Sequence, residues 1–187
     1  MIPSSLISHN SWRNCLWRHH LGEEKMVQIG VIGSGAELSQ EIYRIAEKVG
    51  EELAKRNVIL ICGGKGGVME AACKGCQKFS GTSIGILPSG QPSEANKFVK
   101  IKIPTNLGED RNYIIIQSVQ AAICISGSAG TRMEAEYALE CGVPLITIPI
   151  TGGTAKEISE EFPDQIIEAK DAKDAVDKAL RQAIKGF

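Results

Sequence analysis

Short apolar runs alternate along the chain with longer stretches in which apolar positions recur at helical spacing. The short runs are Val27–Gly33, Val58–Cys62, Thr82–Leu87, Lys100–Ile103, Ala121–Ile125 and Leu145–Ile148. Most are nearly continuous in apolar residues, which predicts strands buried on both faces. Ile166–Ala169 predicts a further strand at an edge. Ile42, Ile45, Ala46, Val49 and Leu53 fall on one face of a first helix, with charges opposite. Val68–Lys78 predicts a second helix. Glu109–Gln120 predicts a third, although Ile114-Ile-Ile116 is also strand-like. Thr131–Cys141 predicts a fourth, stopped by Gly142 and Pro144. The last starts near Asp171, with Ala175, Val176, Ala179, Leu180, Ala183 and Ile184 on one face. Pro88–Phe98 is rich in Pro, Ser and Gly and predicts a loop. This order implies an α/β fold: a doubly wound, mostly parallel sheet between two helical layers. Right-handed crossovers place every strand-to-helix turn at one edge of the sheet. Ligands of such sheets bind there, beside the switch in strand order.

Residues 1–25 do not follow the pattern. They hold both tryptophans and all three histidines, with little periodicity. They lack a continuous apolar core and a small-residue cleavage site, which argues against a signal peptide. Met26 stands just before the first strand. The expectation is a poorly ordered N-terminal extension of little function, followed by a single domain over residues 26–187. The full length of 187 residues suits one hydrophobic core.

Charge and cysteines narrow the function classes. The balance of 21 basic and 22 acidic residues gives no electrostatic footprint for nucleic acid. No apolar stretch is long enough to span a bilayer. Cys73-Lys-Gly-Cys76 is a lone pair within a helix, and zinc would need two further ligands. It reads as a packed helix face, and no metal site is expected. Six cysteines without a secretory signal point to a reducing cytoplasm.

Glycine turns follow the strands. Gly33-Ser34-Gly35 is not the dinucleotide fingerprint, because Leu38 stands where the last glycine would fall. A tight turn and a ligand contact both remain open there. Gly63-Gly64-Lys-Gly66-Gly67 is followed by Val68-Met-Glu70, so the Gly-Lys-[Ser/Thr] of a P-loop is missing and Mg-ATP is excluded. Its four glycines suggest close approach of a ligand to backbone. The third turn, Ser126-Gly127-Ser128-Ala129-Gly130-Thr131, links a strand to a helix N-terminus. Free N–H groups and the helix dipole make that junction a site for a phosphate. Thr151-Gly-Gly-Thr154 is a further glycine turn.

Two residues carry open alternatives. Arg111 is either a surface charge, paired with Glu109 or Asp110, or a planar fork for phosphate or carboxylate. Thr131-x-x-Glu134 is either a capping box worth about 1 kcal/mol or a carboxylate facing a ligand. In the second case a cation such as Arg111 must offset its repulsion of phosphate.

Three blocks together resemble one family: Gly63-Gly-Lys-Gly-Gly-Val-Met-Glu70, Gly108-Glu-Asp-Arg-Asn112 and Gly127-Ser-Ala-Gly-Thr-Arg-Met-Glu134. The resemblance is to the Rossmann-like proteins once labelled "lysine decarboxylase-like", the LOG/SLOG superfamily, and most to its molybdenum-cofactor carrier branch. It runs from about Val27 to Val143, and the third block is the most specific. The old label implies pyridoxal phosphate, but no lysine here stands in a suitable context. LOG members hydrolyse nucleoside 5′-monophosphates to a free base and ribose 5-phosphate. Their signature is Pro-Gly-Gly-x-Gly-Thr-x-x-Glu; here Ser126 replaces the Pro and Ser128 the second Gly. Their catalytic Arg-Lys pair is Arg111-Asn112 in this chain, so a positive charge is missing. Carried over, Arg111 and Glu134 would be the catalytic pair, with Glu134 on a ribose that becomes cation-like as the bond breaks. Thr131 and the turn N–H groups would hold the phosphate. The resemblance implies two functions. One is a carrier binding a phosphorylated nucleotide-like or pterin-like ligand, with molybdopterin as cargo. The other is a nucleoside-monophosphate phosphoribohydrolase. It also implies a homodimer or higher homo-oligomer.

Overall fold

Ala121–Ile125 and Gln28–Gly33 lie side by side at the centre of a parallel sheet, in register from Ile29 opposite Ala121 to Gly33 opposite Ile125. The computed structural model describes residues 26–185, so the expected extension over residues 1–25 lies outside them. The strands are β1 (Gln28–Gly33), β2 (Ile59–Cys62), β3 (Ser83–Leu87), β4 (Ile101–Pro104), β5 (Ala121–Ile125), β6 (Leu145–Thr147) and β7 (Ile166–Glu168). Their order is β4-β3-β2-β1-β5-β6-β7, and all pairs are parallel. The chain therefore fills the sheet outward from β1, then returns to β1 and fills the other side. The switch point is the crevice between β1 and β5.

The helices are α1 (Gln40–Lys55), α2 (Gly67–Lys78), α3 (Arg111–Gln117), α4 (Ala129–Glu140), α5 (Gly153–Glu161) and α6 (Ala172–Lys185). Alternate strand residues point to opposite faces. Ile29, Val31, Leu60, Cys62, Ile123 and Ile125 join one core with α1, α2 and α6. Ile32, Ile61, Ala122 and Cys124 join the other with α3, α4 and α5. The α/β architecture is that expected from the alternation of runs.

On the first face, α1 and α2 are in backbone contact. A Cβ at Gly75 would stand 1.8 Å from the Glu47 carbonyl oxygen, so only glycine allows this packing.

The structure refines the sequence expectation mainly in its helices. Helix α5 was not expected, because it shows few apolar residues; Ala155 and Ile158 alone anchor its inner face in the core. Ile114-Ile-Ile116 is helical, as expected of Glu109–Gln120, and its strand-like composition reflects Ile115 and Ile116 filling the core under α3. Helix α4 begins at Ala129, two residues before the expected start at Thr131, with Ser128 at its cap position. The Thr131-x-x-Glu134 capping box is thereby corrected: both residues lie inside the helix and neither caps it.

Candidate functional site

The β1–β5 crevice is rimmed by the turns that follow β1, β2 and β5. The β5–α4 turn leaves its donors free. Ser128 provides no side-chain cap bond to α4. Among the described residues, no hydrogen bond takes up the N–H groups of Gly127, Ser128, Ala129, Gly130 or Thr131. Ser128 and Ala129 are exposed. A Cβ at Gly130 would meet no atom within 4 Å, so open space lies above this helix start. Thr131 is buried, with its side chain packed on Gly127.

Arg111 begins α3 and points inward. It is 7% exposed, and among the described residues no carboxylate lies within ion-pairing distance of it. The reading of Arg111 as a surface charge, or as a partner of Glu109 or Asp110, is thus corrected. Its Nη1 donates to the Ile86 carbonyl at 3.2 Å, and its Nε has no partner among the described residues. The guanidinium lies over Gly63, where a Cβ would stand 1.9 Å from Nη1. That glycine is required by the arginine. Next to it, Asn112 is also buried; its amide donates to Glu109 Oε2 at 3.3 Å, and its Oδ1 has no partner among the described residues. Buried polar atoms without partners are rare in folded proteins and mark sites kept for something else.

Glu134 projects from α4 toward the same region and is buried. Burial pushes its carboxyl up to about 7; the Arg111 charge pulls it back, and Glu109 adds to the rise. Near neutral pH a large share of Glu134 is therefore uncharged and able to donate a hydrogen bond. The expected repulsion between this carboxylate and a phosphate is reduced by burial as well as by Arg111.

The other candidate residues fall into two groups. Gly33 and Gly64 are buried and serve internal packing. Ser34 accepts the Val68 N–H through its carbonyl at 2.9 Å and the Ala36 N–H through Oγ at 3.1 Å. Gly67 packs onto the Ser34 carbonyl, where a Cβ would come within 2.2 Å. The glycine surplus of the second turn is thus explained by contacts within the protein. Gly35, Gly66 and Gly67 line a separate cleft of about 610 Å³ between the starts of α1 and α2, together with Tyr43, Arg44 and Lys74. That cleft does not include Arg111, Glu134 or the β5–α4 turn.

Cysteine chemistry also differs in detail from the motif. Cys73 and Cys76 are both buried on α2, as a packed helix face requires. The Cys73 sulfur contacts that of Cys62 at the end of β2, at 3.6 Å. Among the described residues no group of three or more His, Cys, Asp or Glu could hold a metal ion. No helix there is long and apolar enough to cross a membrane. Two residues that motif reading left unassigned, Thr151 and Thr154, sit directly behind the β5–α4 turn. The only sequence signal for them is the glycine pair they flank.

Comparison with known proteins agrees with this fold. An uncharacterised protein of Archaeoglobus fulgidus is 46% identical over 118 residues, 63% of this chain and 77% of that protein. The molybdenum cofactor binding protein of Rippkaea orientalis superposes with a TM-score of 0.77 at 28% identity, over 87% of this chain and 99% of that one. The molybdenum cofactor carrier protein of Chlamydomonas reinhardtii superposes with a TM-score of 0.73 at 28% identity, over 86% of this chain and 99% of that one. The family model for SLOG cluster4 matches residues 26–179, nearly all of the described fold. The chain belongs to the SLOG cluster4 family.

Proposed function

We propose that this protein binds a small phosphorylated ligand, nucleotide-like or pterin-like, as a carrier in the manner of the molybdenum cofactor proteins it resembles. The observation that carries the reading is Arg111: a buried cation over Gly63 at the end of β2, without an ion-paired carboxylate among the described residues and within electrostatic reach of Glu134, on the helix whose first N–H groups are free. A buried charge without a partner is costly unless something neutralises it. A phosphate monoester supplies that charge and accepts hydrogen bonds from the turn. The ligand phosphate rests on Gly127–Thr131, and Arg111 holds its charge or a neighbouring polar group. Glu134, when protonated, donates to the ligand. The molybdenum cofactor is cargo in this reading. The same reading carries a homo-oligomeric, cytoplasmic protein without nucleic-acid partners.

A second reading is favoured by one observation, the placement of Arg111 and Glu134 within electrostatic reach of each other. In it the pair cleaves the N-glycosidic bond of a nucleoside 5′-monophosphate. Asn112 stands where hydrolases of this superfamily carry lysine, so the leaving base loses a cationic neighbour.

Native mass spectrometry of the purified protein tests both. A co-purifying pterin monophosphate or molybdenum cofactor is the expected result. A bound mononucleotide shifts the question to base release from AMP, where rapid turnover would establish the hydrolase. A protein that retains nothing, and binds neither AMP nor molybdopterin on titration, overturns the proposal.

A further inference from the structure

The Thr151-Gly-Gly-Thr154 turn belongs to neither the crevice rim nor the cleft between α1 and α2, yet together with Ala155 after it, it makes four hydrogen bonds to the β5–α4 turn. The Ser126 N–H donates to Thr151 Oγ1 at 2.7 Å. The Thr151 hydroxyl donates to the Ile148 carbonyl at 2.6 Å, which commits its proton and leaves its lone pairs for Ser126. The Ala155 N–H donates to the Ser126 carbonyl at 3.1 Å, and the Thr154 N–H to the Gly127 carbonyl at 3.3 Å. The Thr154 hydroxyl donates to the Ser128 carbonyl at 3.2 Å. Both threonines are buried. The turns approach so closely that a Cβ at Gly153 would stand 2.4 Å from the Gly127 carbonyl oxygen.

Three successive carbonyls of the β5–α4 turn are therefore held against the start of α5. Carbonyl oxygens near an anion repel it, whereas successive N–H groups pointing one way form an anion-binding concavity. Each of these carbonyls is trans to the next residue's N–H, so tying them behind the turn leaves the N–H groups of Gly127, Ser128 and Ala129 on the other side. The positive end of α5 is spent on these carbonyls and not on a ligand.

Ser126 explains why such a brace is needed. Its φ is +52°, in the left-handed region that a side chain disfavours by about 1 kcal/mol or more. The proline of the LOG signature at this position could neither adopt that φ nor donate an N–H. The change to serine and the Thr151 acceptor thus belong together.

We infer that Thr151 and Thr154 are positioning residues for the anion-binding face of the β5–α4 turn, an inference that rests on reading that turn as a phosphate site. Inorganic phosphate titrated into ¹⁵N-labelled protein tests it through the amide resonances of Gly127 to Gly130. Thr151→Val and Thr154→Val should each raise the apparent Kd about tenfold, and the serine variants should stay within about twofold of the parent. Valine variants that bind phosphate as tightly as the parent would overturn the inference. A second arm needs no ligand: hydrogen exchange at the Ser126 amide should be slow in the parent and in Thr151→Ser, and fast in Thr151→Val. Equal protection in all three also overturns it. Thr151→Ala substitutes if the valine variant does not fold. Phosphate that moves no turn amide in the parent would instead defeat the phosphate reading, while the exchange arm still decides whether Thr151 holds the turn.

Discussion

On one face of the sheet Glu52 of α1 is 7% exposed; on the other, Glu134 of α4 is 6% exposed. Glu52 lies under a thin skin of cationic side chains: Arg56 at 2.6 Å, Lys55 at 3.1 Å and Lys48 at 3.5 Å. The Arg56 hydrogen bond leads in bringing its carboxyl down to about 2, against the opposing effect of burial. Arg56 in turn reaches Asp177 of α6 at 2.7 Å, so the ion pairs tie two helices of this layer together. Glu134 lies deeper, has no such partners, and is driven up to about 7. Similar surface exposure thus goes with opposite chemistry, because Glu134 is the more deeply desolvated and lacks the hydrogen-bonded cations that hold Glu52 charged. The α1–α2–α6 layer pairs its buried and half-buried carboxylates with cations, Glu47 with Lys74 and Lys78 although its Oε1 makes no hydrogen bond, whereas on the α3–α4 side, among the described residues, Arg111 Nε and Asn112 Oδ1 have no partner and Glu134 has no ion pair.

The contrast is broken most severely at Arg111. Arg111→Met should weaken binding of a phosphorylated ligand about a hundredfold, the usual scale for removing one member of a desolvated charge pair. Its thermal stability should hold or rise, because an unpaired buried cation is gone. Calorimetric titration and a melting curve on the same sample check both; a large fall in melting temperature would mark Arg111 as structural. On the opposite face, Gly75→Ala forces a methyl into the Glu47 carbonyl. It should cost about 1–3 kcal/mol of stability in denaturant unfolding and leave ligand affinity in the folded protein unchanged.

The smallest effects lie in pH dependence. Glu134 binds its proton more tightly folded than unfolded, so stability falls as pH rises from about 4.5 through about 7. Glu134→Gln should therefore gain about 1–3 kcal/mol at pH 8.5, relative to the parent, and nothing near pH 4. Glu52 binds its proton less tightly folded, so its contribution is complete above about 4.5 and disappears as pH falls through about 2. Glu52→Gln should lose about 1–2 kcal/mol at pH 7 and converge on the parent only at the acid limit. Melting temperatures across that range distinguish the two: parallel curves for both variants would erase the distinction between the layers. Ligand affinity should also fall as pH rises through about 7, as Glu134 ionises beside the phosphate.

Much of the fold is legible in the chain because strand runs and helical stripes are local patterns. Ala121–Ile125 reads as a strand and is one to the residue. Helix α5 escapes such reading because only Ala155 and Ile158 among its four buried residues are apolar, and tertiary contact rather than periodicity stabilises it. The site is less legible for the same reason. That a glycine turn enters a helix after β5 is written in Ser126–Gly130. Whether Thr131 and Glu134 cap that helix depends on its true start at Ala129, which lies beyond the resolution of a motif. The glycines of the second turn look like room for a ligand, yet Gly63 makes room for Arg111 and Gly67 for Ser34.

The sequence by itself determined the alternation of elements, the edge at which the turns gather and the family signature, since each rests on neighbours along the chain. Tertiary structure alone decided which charges find partners. Arg56 meets Asp177 across 121 positions of sequence, and Thr151 meets Ser126 across 25. Arg111 meets a carbonyl and a glycine but no carboxylate. Desolvation and pairing act through space, so the same arginine or glutamate becomes a brace on one face of this sheet and an unsatisfied charge on the other.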